Sequence, residues 1–278
     1  MIVSSVSEVR RQLESVRRDG QSIGLVPTMG ALHAGHASLI SRALSNSDFV
    51  VASIFVNPLQ FGPSEDYQRY PRPLDKDVEL CERLGVKLIF APEVADMYAG
   101  PQLSFVDVPK LTEHLCGAFR PGHFRGVATV VLKLFNIVQP DSAYFGEKDF
   151  QQLCVIRRMV QDFNLPLTVV PVQTYREEDG LALSSRNAYL DSAQRTVAPV
   201  LFRALNLAKG LVDSGESDVA KVKAEALRLL EATPGVRVEY FEIVDEEVQP
   251  VARIAGPVRI ASAIWIGMTR LIDNVPAG

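Results

Sequence analysis

Apolar strand patterns alternate with amphipathic helical patterns along the first two thirds of this 278-residue chain. Residues 49–56 form an almost unbroken apolar, β-branched run, which is typical of a strand covered on both faces. A helical pattern over residues 74–84 follows and ends at Gly85. Strands joined by crossover helices pair in parallel, so the sequence predicts a Rossmann-like, doubly wound α/β sheet.

The regular alternation of strand and helix patterns ends after about Pro171. The polar segment 176–180 predicts a hinge or loop, and it is followed by two helical patterns (192–212 and 220–231) and two strand patterns (236–244 and 258–266). We therefore predict a larger domain over residues 1–175 and a smaller α+β domain over residues 176–278.

The charge balance restricts the kinds of partner. Lysine and arginine number 29 against 33 aspartates and glutamates, a net charge of -4, so the chain lacks a general basic field for nucleic acid. The N-terminus does not resemble a secretion signal, and no apolar run reaches membrane-spanning length, so we expect a cytoplasmic protein that binds neither nucleic acid nor membranes. The widely spaced Cys81, Cys116 and Cys154 are interpreted as small core residues.

Residues 25–36 contain the most informative motif for function. An apolar strand over residues 23–26 is followed by Pro27 and Gly30, which we expect to break it, and a helical pattern starts at His36. His33 and His36 flank that helix start, where free backbone N–H groups attract anions, and Gly35 allows a ligand to approach closely. The pattern predicts a phosphate cradle; the alternative is that each histidine is a helix cap or a surface residue.

Two amide-rich or cationic segments follow other predicted strands. Asn57 and Gln60 come directly after the strand over residues 49–56, and their carboxamides suit a bound hydroxy acid, although Asn-Pro and Phe-Gly also build ordinary turns. Lys148, in the segment 146–149, precedes another helical stretch and can follow a phosphoryl group, and Asp149 suits ribose hydroxyls. Glu147 and Asp149 are equally compatible with ordinary first-turn acids.

Two further polar loops complete the set. Residues 183–187 place two hydroxyls and a guanidinium together, which suits a polyphosphate tail or an ordinary helix entry. Residues 120–126 are glycine-rich and cationic, and we interpret them as adjacent to the substrate.

These segments, in this order, resemble the pantoate-β-alanine ligase family of the HxGH nucleotidyltransferase superfamily. The resemblance covers roughly residues 25–190 and extends to residues 270–274 near the end of the chain. The chain differs from the common family pattern at Cys116, where an acid is usual, at Pro73 and at Leu183. None of these differences removes a proposed catalytic group.

The resemblance implies a ligation in two steps, in which D-pantoate reacts with ATP to give pantoyl adenylate and β-alanine then displaces AMP. Magnesium is expected to arrive on the ATP phosphates, with no protein residue assigned as a metal ligand. The resemblance also implies a homodimer joined through the larger domain, and we expect the smaller domain to close over ATP and exclude water.

The resemblance also implies residue roles. It assigns the stabilisation of negative charge on the α-phosphate and pyrophosphate to His33, His36 and Lys148, and it makes His36 the proton donor. Asn57 is expected to position the reacting groups. Pantoate and β-alanine binding is assigned to Gln60, Gln152, Met29 and Asn57. ATP binding is assigned to Pro27, Thr28, Met29, Gly30, His33, Gly35, His36, Gly146, Glu147, Lys148, Asp149, the backbone near Tyr175, Leu183, Ser184, Ser185 and Arg186.

Two other functions use the same phosphate cradle. One is a transferase that moves a nucleotidyl group onto a phosphorylated acceptor, which would need a second anion site. The other is a catalytically inactive nucleotide sensor, which the presence of both histidines and Lys148 disfavours.

Overall fold

The structure, a computed structural model, describes residues 1–63 and 65–278. By its internal contacts the chain forms two compact units that interleave along the sequence. The first unit comprises Met1–Pro109, Arg120–Glu147 and Val155–Gln173, and the second comprises Lys110–Phe119, Lys148–Cys154 and Thr174–Gly278. The linear domain boundary between residues 175 and 176 stays a prediction.

The first unit is built on a six-stranded parallel sheet with the strand order β1-β4-β3-β2-β5-β6. The strands are β1 (Ile2–Val3), β2 (Ile23–Thr28), β3 (Phe49–Ile54), β4 (Leu88–Phe90), β5 (Ser142–Gly146) and β6 (Thr168–Val172). The chain passes from β2 to β3 on one side of β2, whereas β5 lies on its other side. The strand order therefore reverses between β2 and β5, and in doubly wound sheets ligands bind beyond the carboxyl ends of the strands at such a point.

The helices confirm most of the predicted pattern. In chain order they are α1 (Val6–Arg18), α2 (Ala34–Leu44), α3 (Leu74–Leu84), α4 (Val94–Met97), α5 (Cys116–Phe119), α6 (His123–Val138), α7 (Phe150–Asp162), α8 (Ser192–Val197), α9 (Val200–Asp213) and α10 (Val219–Glu231). Buried residues of α2 and α3, such as Ile40 and Cys81, pack with Val26 of β2 and Ala52 of β3. This apolar contact fixes α2, which follows β2, against the middle of the sheet.

The second unit contains a three-stranded antiparallel sheet of β7 (Val236–Val244), β8 (Val258–Ile266) and β9 (Thr269–Ala277). Leu201 and Leu205 of α9 and Val222 of α10 are buried with Ile260 and Ile264 of β8. The second unit is thus a small α+β layer structure, and together with the parallel sheet it confirms the predicted fold class.

Three local predictions differ from the structure. Pro27 does not end β2, which continues to Thr28. The pairing of β2 with β5 ends at Leu25, two residues before Pro27. The N–H group that proline lacks would therefore not have taken part in a hydrogen bond to β5. The single helix expected over residues 192–212 is two helices, with Pro199 between them. Cys81 and Cys116 are buried as predicted, and burial raises the pKa of Cys81 to about 11, but Cys154 is only half-buried.

No helix in the described ranges combines the length and the apolar composition that crossing a membrane requires.

Candidate active site

The loop between β2 and α2 is held in shape by a buried aspartate of α3. Gly30 and Ala31 adopt positive φ angles of 80° and 50°. The N–H groups of Ala31 and Leu32 donate to the two carboxylate oxygens of Asp77 at 2.8 and 2.7 Å. A Cβ on Gly30 would lie 2.9 Å from Asp77 Oδ2, so only glycine allows this close approach. Asp77 therefore fixes the loop that leads to both histidines.

Asp77 is 2 % exposed, and burial raises the pKa of its carboxyl while the two backbone hydrogen bonds offset only part of that rise. The sequence analysis missed this residue. A usable signal was its position four residues before Cys81, because that spacing puts a carboxylate on the buried face of an amphipathic helix.

The two histidines share one hydrogen-bonded arrangement at the start of α2. His33 is the N-cap, and its Nδ1 accepts from the N–H of Gly35 at 3.1 Å, while Nδ1 of His36 accepts from the N–H of His33 at 3.3 Å. The ring centroids are 4.1 Å apart. Because Nδ1 is an acceptor in both rings, the proton of each neutral ring lies on Nε2. Both imidazoles are thus set as Nε2–H donors, which suits phosphoryl oxygens and confirms that the pair brackets a helix start.

Asn57 organises the turn that follows β3. Its Nδ2 donates to Gln60 Oε1 at 3.1 Å and to the carbonyl of Gly126 at 3.2 Å, and its Oδ1 accepts from the Tyr98 hydroxyl at 2.7 Å. Burial raises the pKa of Tyr98, so its hydroxyl remains a donor. Asn57 is 1 % exposed. Both the oxygen and the nitrogen of its carboxamide are hydrogen-bonded to protein groups, and Tyr98 and Gly126 are partners that were not predicted from the sequence.

The side chains of Gln60 and Met29 meet in the first unit. Gln60 Nε2 lies 3.0 Å from Met29 Sδ, and Oε1 is held by Asn57. The orientation of the Gln60 amide is thereby fixed, with its nitrogen toward Met29. The loop after β2 and the turn after β3 therefore share one edge of the parallel sheet.

Lys148 follows the strand β5 by two residues, in a 3-10 turn (Glu147–Asp149) that leads into α7. Its side chain is 16 % exposed, and its amino group lies 3.8 Å from the carboxylate of Asp149. Its backbone carbonyl accepts from Asn274 Nδ2 at 2.9 Å. Lys148, Asp149 and the half-buried Gln152 belong to the second unit, whereas Gly146 and Glu147 belong to the first.

The loop over residues 175–187 is a compact structure of the second unit. The N–H of Leu183 donates to the carbonyl of Tyr175 at 3.0 Å, so the structure brings these two predicted ATP contacts together. Ser184 caps the 3-10 turn Ser185–Tyr189, accepting from the N–H of Arg186 at 3.3 Å. Hydrogen bonds to the loop's own backbone therefore hold it together, and residues 184–186 lie in one defined turn.

The motif over residues 270–274 has a larger role than the sequence analysis gave it. Asp273, 4 % exposed, forms a bidentate ion pair with Arg176 at 2.6 and 2.9 Å. Burial raises the pKa of Asp273, and the hydrogen bonds and charge of Arg176 oppose that rise. Asn274, the next residue, holds Lys148. Asp273 and Asn274 therefore tie the start of the 176–180 turn and the backbone of Lys148 to the middle of β9.

A doubly wound parallel sheet, with paired histidines at the helix that follows the strand at its reversal point, defines the class of HxGH nucleotidyltransferases. Within the described part of the chain, no group of three or more histidine, cysteine, aspartate or glutamate side chains is arranged to hold a metal ion.

Comparison with known proteins specifies the family. A family model described as pantoate-beta-alanine ligase matches residues 1–276. The chain is 53 % identical to the pantothenate synthetase of Heliobacterium modesticaldum and 52 % identical to that of Moorella thermoacetica, covering 99 % of this chain in both cases and 98 % and 97 % of those proteins. The chain belongs to the pantoate-β-alanine ligase family and is a ligase of that class, as the resemblance implied.

Solved structures agree with this assignment. The pantothenate synthetase of Thermus thermophilus is 50 % identical, with a TM-score of 0.94 over 99 % of this chain and 98 % of that one. The pantoate-beta-alanine ligase of Francisella tularensis, solved in complex with beta-gamma ATP and beta-alanine, is 35 % identical, with a TM-score of 0.83 over 99 % and 97 % of the two chains.

Proposed function

We propose that this chain joins D-pantoate and β-alanine in two steps through pantoyl adenylate. In the first step a carboxylate oxygen of pantoate attacks the α-phosphorus of ATP, and the bond to pyrophosphate breaks. In the second step the amine of β-alanine attacks the acyl carbon, AMP leaves with the bonding electrons, and the amine loses a proton. The observation that carries this proposal is the pair of Nε2–H donors of His33 and His36 at the reversal point of the sheet.

The residues divide the work by their chemistry. Negative charge moves onto the α-phosphate and the pyrophosphate in the transition state, and hydrogen bonds from His33 and His36 and the positive charge of Lys148 would stabilise it, with His36 as proton donor. Gln60 and Gln152 would hold pantoate beside Met29, and Asn57 would position Gln60. The remaining ATP contacts in the proposal come from Pro27, Thr28, Gly30, Gly35, Gly146, Glu147, Asp149, the Tyr175 backbone and residues 183–186.

Magnesium would enter on the β and γ phosphates of ATP, where it neutralises charge and keeps most of its waters. The proposal also includes a homodimer formed through the larger domain, a second unit that closes over the nucleotide, and a cytoplasmic reaction supplied with cellular ATP. Sedimentation tests the dimer. Deletion of residues 180–278 tests the closure, since unchanged nucleotide affinity and turnover would contradict it.

The decisive experiment incubates the protein with ATP, magnesium and D-pantoate, with and without β-alanine, and detects products by mass. We expect pyrophosphate and a pantoyl adenylate without β-alanine, and pantothenate with AMP once it is added. Pyrophosphate release that ignores pantoate but needs a phosphorylated acceptor would favour the nucleotidyltransferase alternative. ATP binding without pantoate-dependent exchange would favour the sensor.

Substitutions test the assigned roles in the same assay. His36→Ala and Lys148→Ala should each lower the adenylation rate by about a hundredfold or more, because each removes stabilisation of charge in the transition state. Lys87→Ala, which changes an exposed lysine, is the matched control and should keep the wild-type rate. Effects limited to Michaelis constants would contradict the assigned roles of His36 and Lys148.

A further inference from the structure

Residues 120–126, which the proposed reaction leaves without a role, close around the turn that presents Gln60. His123 Nδ1 lies 2.8 Å from the backbone carbonyl of Gln60, and Arg120 Nη2 donates to the same carbonyl at 3.3 Å. Arg120 Nη1 lies 3.0 Å from His123 Nε2. A guanidinium can only donate, so Nε2 accepts and the proton of the neutral ring lies on Nδ1, from which it is donated to Gln60. The contacts therefore specify one tautomer of His123.

The charge of Arg120 is used inside the protein. Its Nε and Nη2 bind the two carboxylate oxygens of Glu65 at 2.8 and 2.5 Å, and its side chain is only 13 % exposed. Burial alone would raise the pKa of Glu65, but the hydrogen bonds and charge of Arg120 outweigh it and hold the pKa below its usual value. The ion pair with Glu65 therefore fixes the orientation of the Arg120 guanidinium. In this orientation its other N–H groups contact His123 and the carbonyl of Gln60.

Gly126 completes the contact on the other side of the turn. A Cβ at this position would lie 2.1 Å from the carbonyl oxygen of Leu59, so only glycine lets α6 approach the turn this closely. The carbonyl of Gly126 also accepts from Asn57 Nδ2. One short segment therefore holds both the backbone of Gln60 and the side chain that orients the Gln60 amide.

We propose that His123 and Arg120 are positioning residues that set the affinity for the hydroxy acid by holding the Asn57–Gln60 turn. This inference rests on the proposed binding of pantoate by Gln60. In this arrangement His123 donates from Nδ1 to the Gln60 carbonyl and accepts at Nε2 from Arg120.

The test measures Michaelis constants for pantoate and for ATP, together with the maximal rate, in four variants of the full chain. His123→Ala should raise the pantoate constant about fivefold to tenfold, the effect of one lost hydrogen bond, and change the ATP constant by less than about twofold. His123→Asn, whose amide nitrogen takes the place of Nδ1, should restore most of the pantoate affinity. His114→Ala, at a histidine outside this segment, is the matched control, and Gln60→Ala tests the pantoate site itself.

Recovery of pantoate affinity in His123→Asn, together with an ATP constant that stays unchanged, separates positioning from a general structural role. Thermal unfolding of each variant shows whether it is folded, and Arg120→Lys provides a second variant that should raise the pantoate constant.

Each result decides between distinct conclusions. If Gln60→Ala leaves the pantoate constant unchanged, the assignment of the pantoate site is wrong. If Gln60→Ala raises it but His123→Ala and Arg120→Lys do not, the site stands and the positioning role is overturned. Equal rises in the pantoate and ATP constants, or no recovery in His123→Asn, would also overturn it.

Discussion

Each of the two units contains a buried aspartate that anchors candidate site residues of that unit, and the two aspartates do so in different ways. Asp77 in the first unit is 2 % exposed and accepts the backbone N–H groups of Ala31 and Leu32. Asp273 in the second unit is 4 % exposed and is paired in bidentate fashion with Arg176. Across residues 1–63 and 65–278, no lysine or arginine forms an ion pair with Asp77. One anchor is therefore a helix side chain that holds a loop by its backbone, and the other is an ion pair between distant segments.

This difference predicts whether a substitution in each region will first change catalysis or first change stability. A carboxylate that accepts the N–H groups of Ala31 and Leu32 fixes a loop in which Gly30 and Ala31 have positive φ angles, so its effect is local to the loop before His33. A buried ion pair depends on both members, since removal of one leaves the other charged and unpaired. We expect substitutions at Asp77 to affect catalysis first, and substitutions at Arg176 to affect stability first.

The largest effect should come from Arg176→Met. It leaves the Asp273 carboxylate buried without its cation, so the free energy of unfolding should fall by about 3 to 5 kcal/mol. Urea unfolding measures this loss. Arg203→Met, at an exposed arginine of α9, is the matched control and should change the free energy by less than about 0.5 kcal/mol. A loss at Arg176 no greater than in the control would remove the contrast between the two anchors.

Asp77→Asn should have the next largest effect, and it should fall on the reaction rate. Asparagine offers one acceptor oxygen in place of two, and its NH2 group would face an N–H donor of Ala31 or Leu32, so the loop shifts. We expect the maximal rate of adenylation to fall about tenfold, measured as pantoate-dependent pyrophosphate release. Asp75→Asn, at an exposed residue of the same helix, is the control. If Asp77→Asn retains the full rate, Asp77 does not position the histidines.

The sequence allowed the prediction of features that depend on local pattern. The end of α3 at Gly85 and the placement of both histidines at a helix start follow from short-range spacing. The hydrogen bonds of Asp77 and the ion pair of Asp273 were not predicted, because their partners lie 45 to 97 residues away in the chain. The segments 110–119 and 148–154 belong to the second unit because they contact residues of that unit that are distant in the chain. The order of helix and strand patterns along the sequence does not reveal such contacts.

Asn274→Ala tests the role of the second anchor and should lower the maximal rate less than Asp77→Asn does. Asn274 donates to the carbonyl of Lys148 and accepts from Arg259 at 3.2 Å, so the substitution loosens the backbone of a proposed catalytic lysine while keeping its charge. We expect the maximal rate to fall about threefold to fivefold, in line with one lost hydrogen bond, and the Michaelis constant for pantoate to remain within about twofold. A rate as low as that of Lys148→Ala would instead show that Lys148 no longer adopts a productive position.

The smallest effect concerns the pH dependence of stability at Asp77. Because burial raises its pKa above the usual 3.8, the folded state binds the proton more tightly than the unfolded state, and the contribution of Asp77 to stability falls as pH rises from 3.8 through the raised value. Asp77→Asn carries no titrating proton, so the free energy of unfolding of the wild type, minus that of the variant, should decrease over this interval and then level off. Urea unfolding at a series of pH values tests the sign. A difference that grows with pH would mean that the two backbone hydrogen bonds outweigh the burial of the charge and hold the pKa of Asp77 below its usual value.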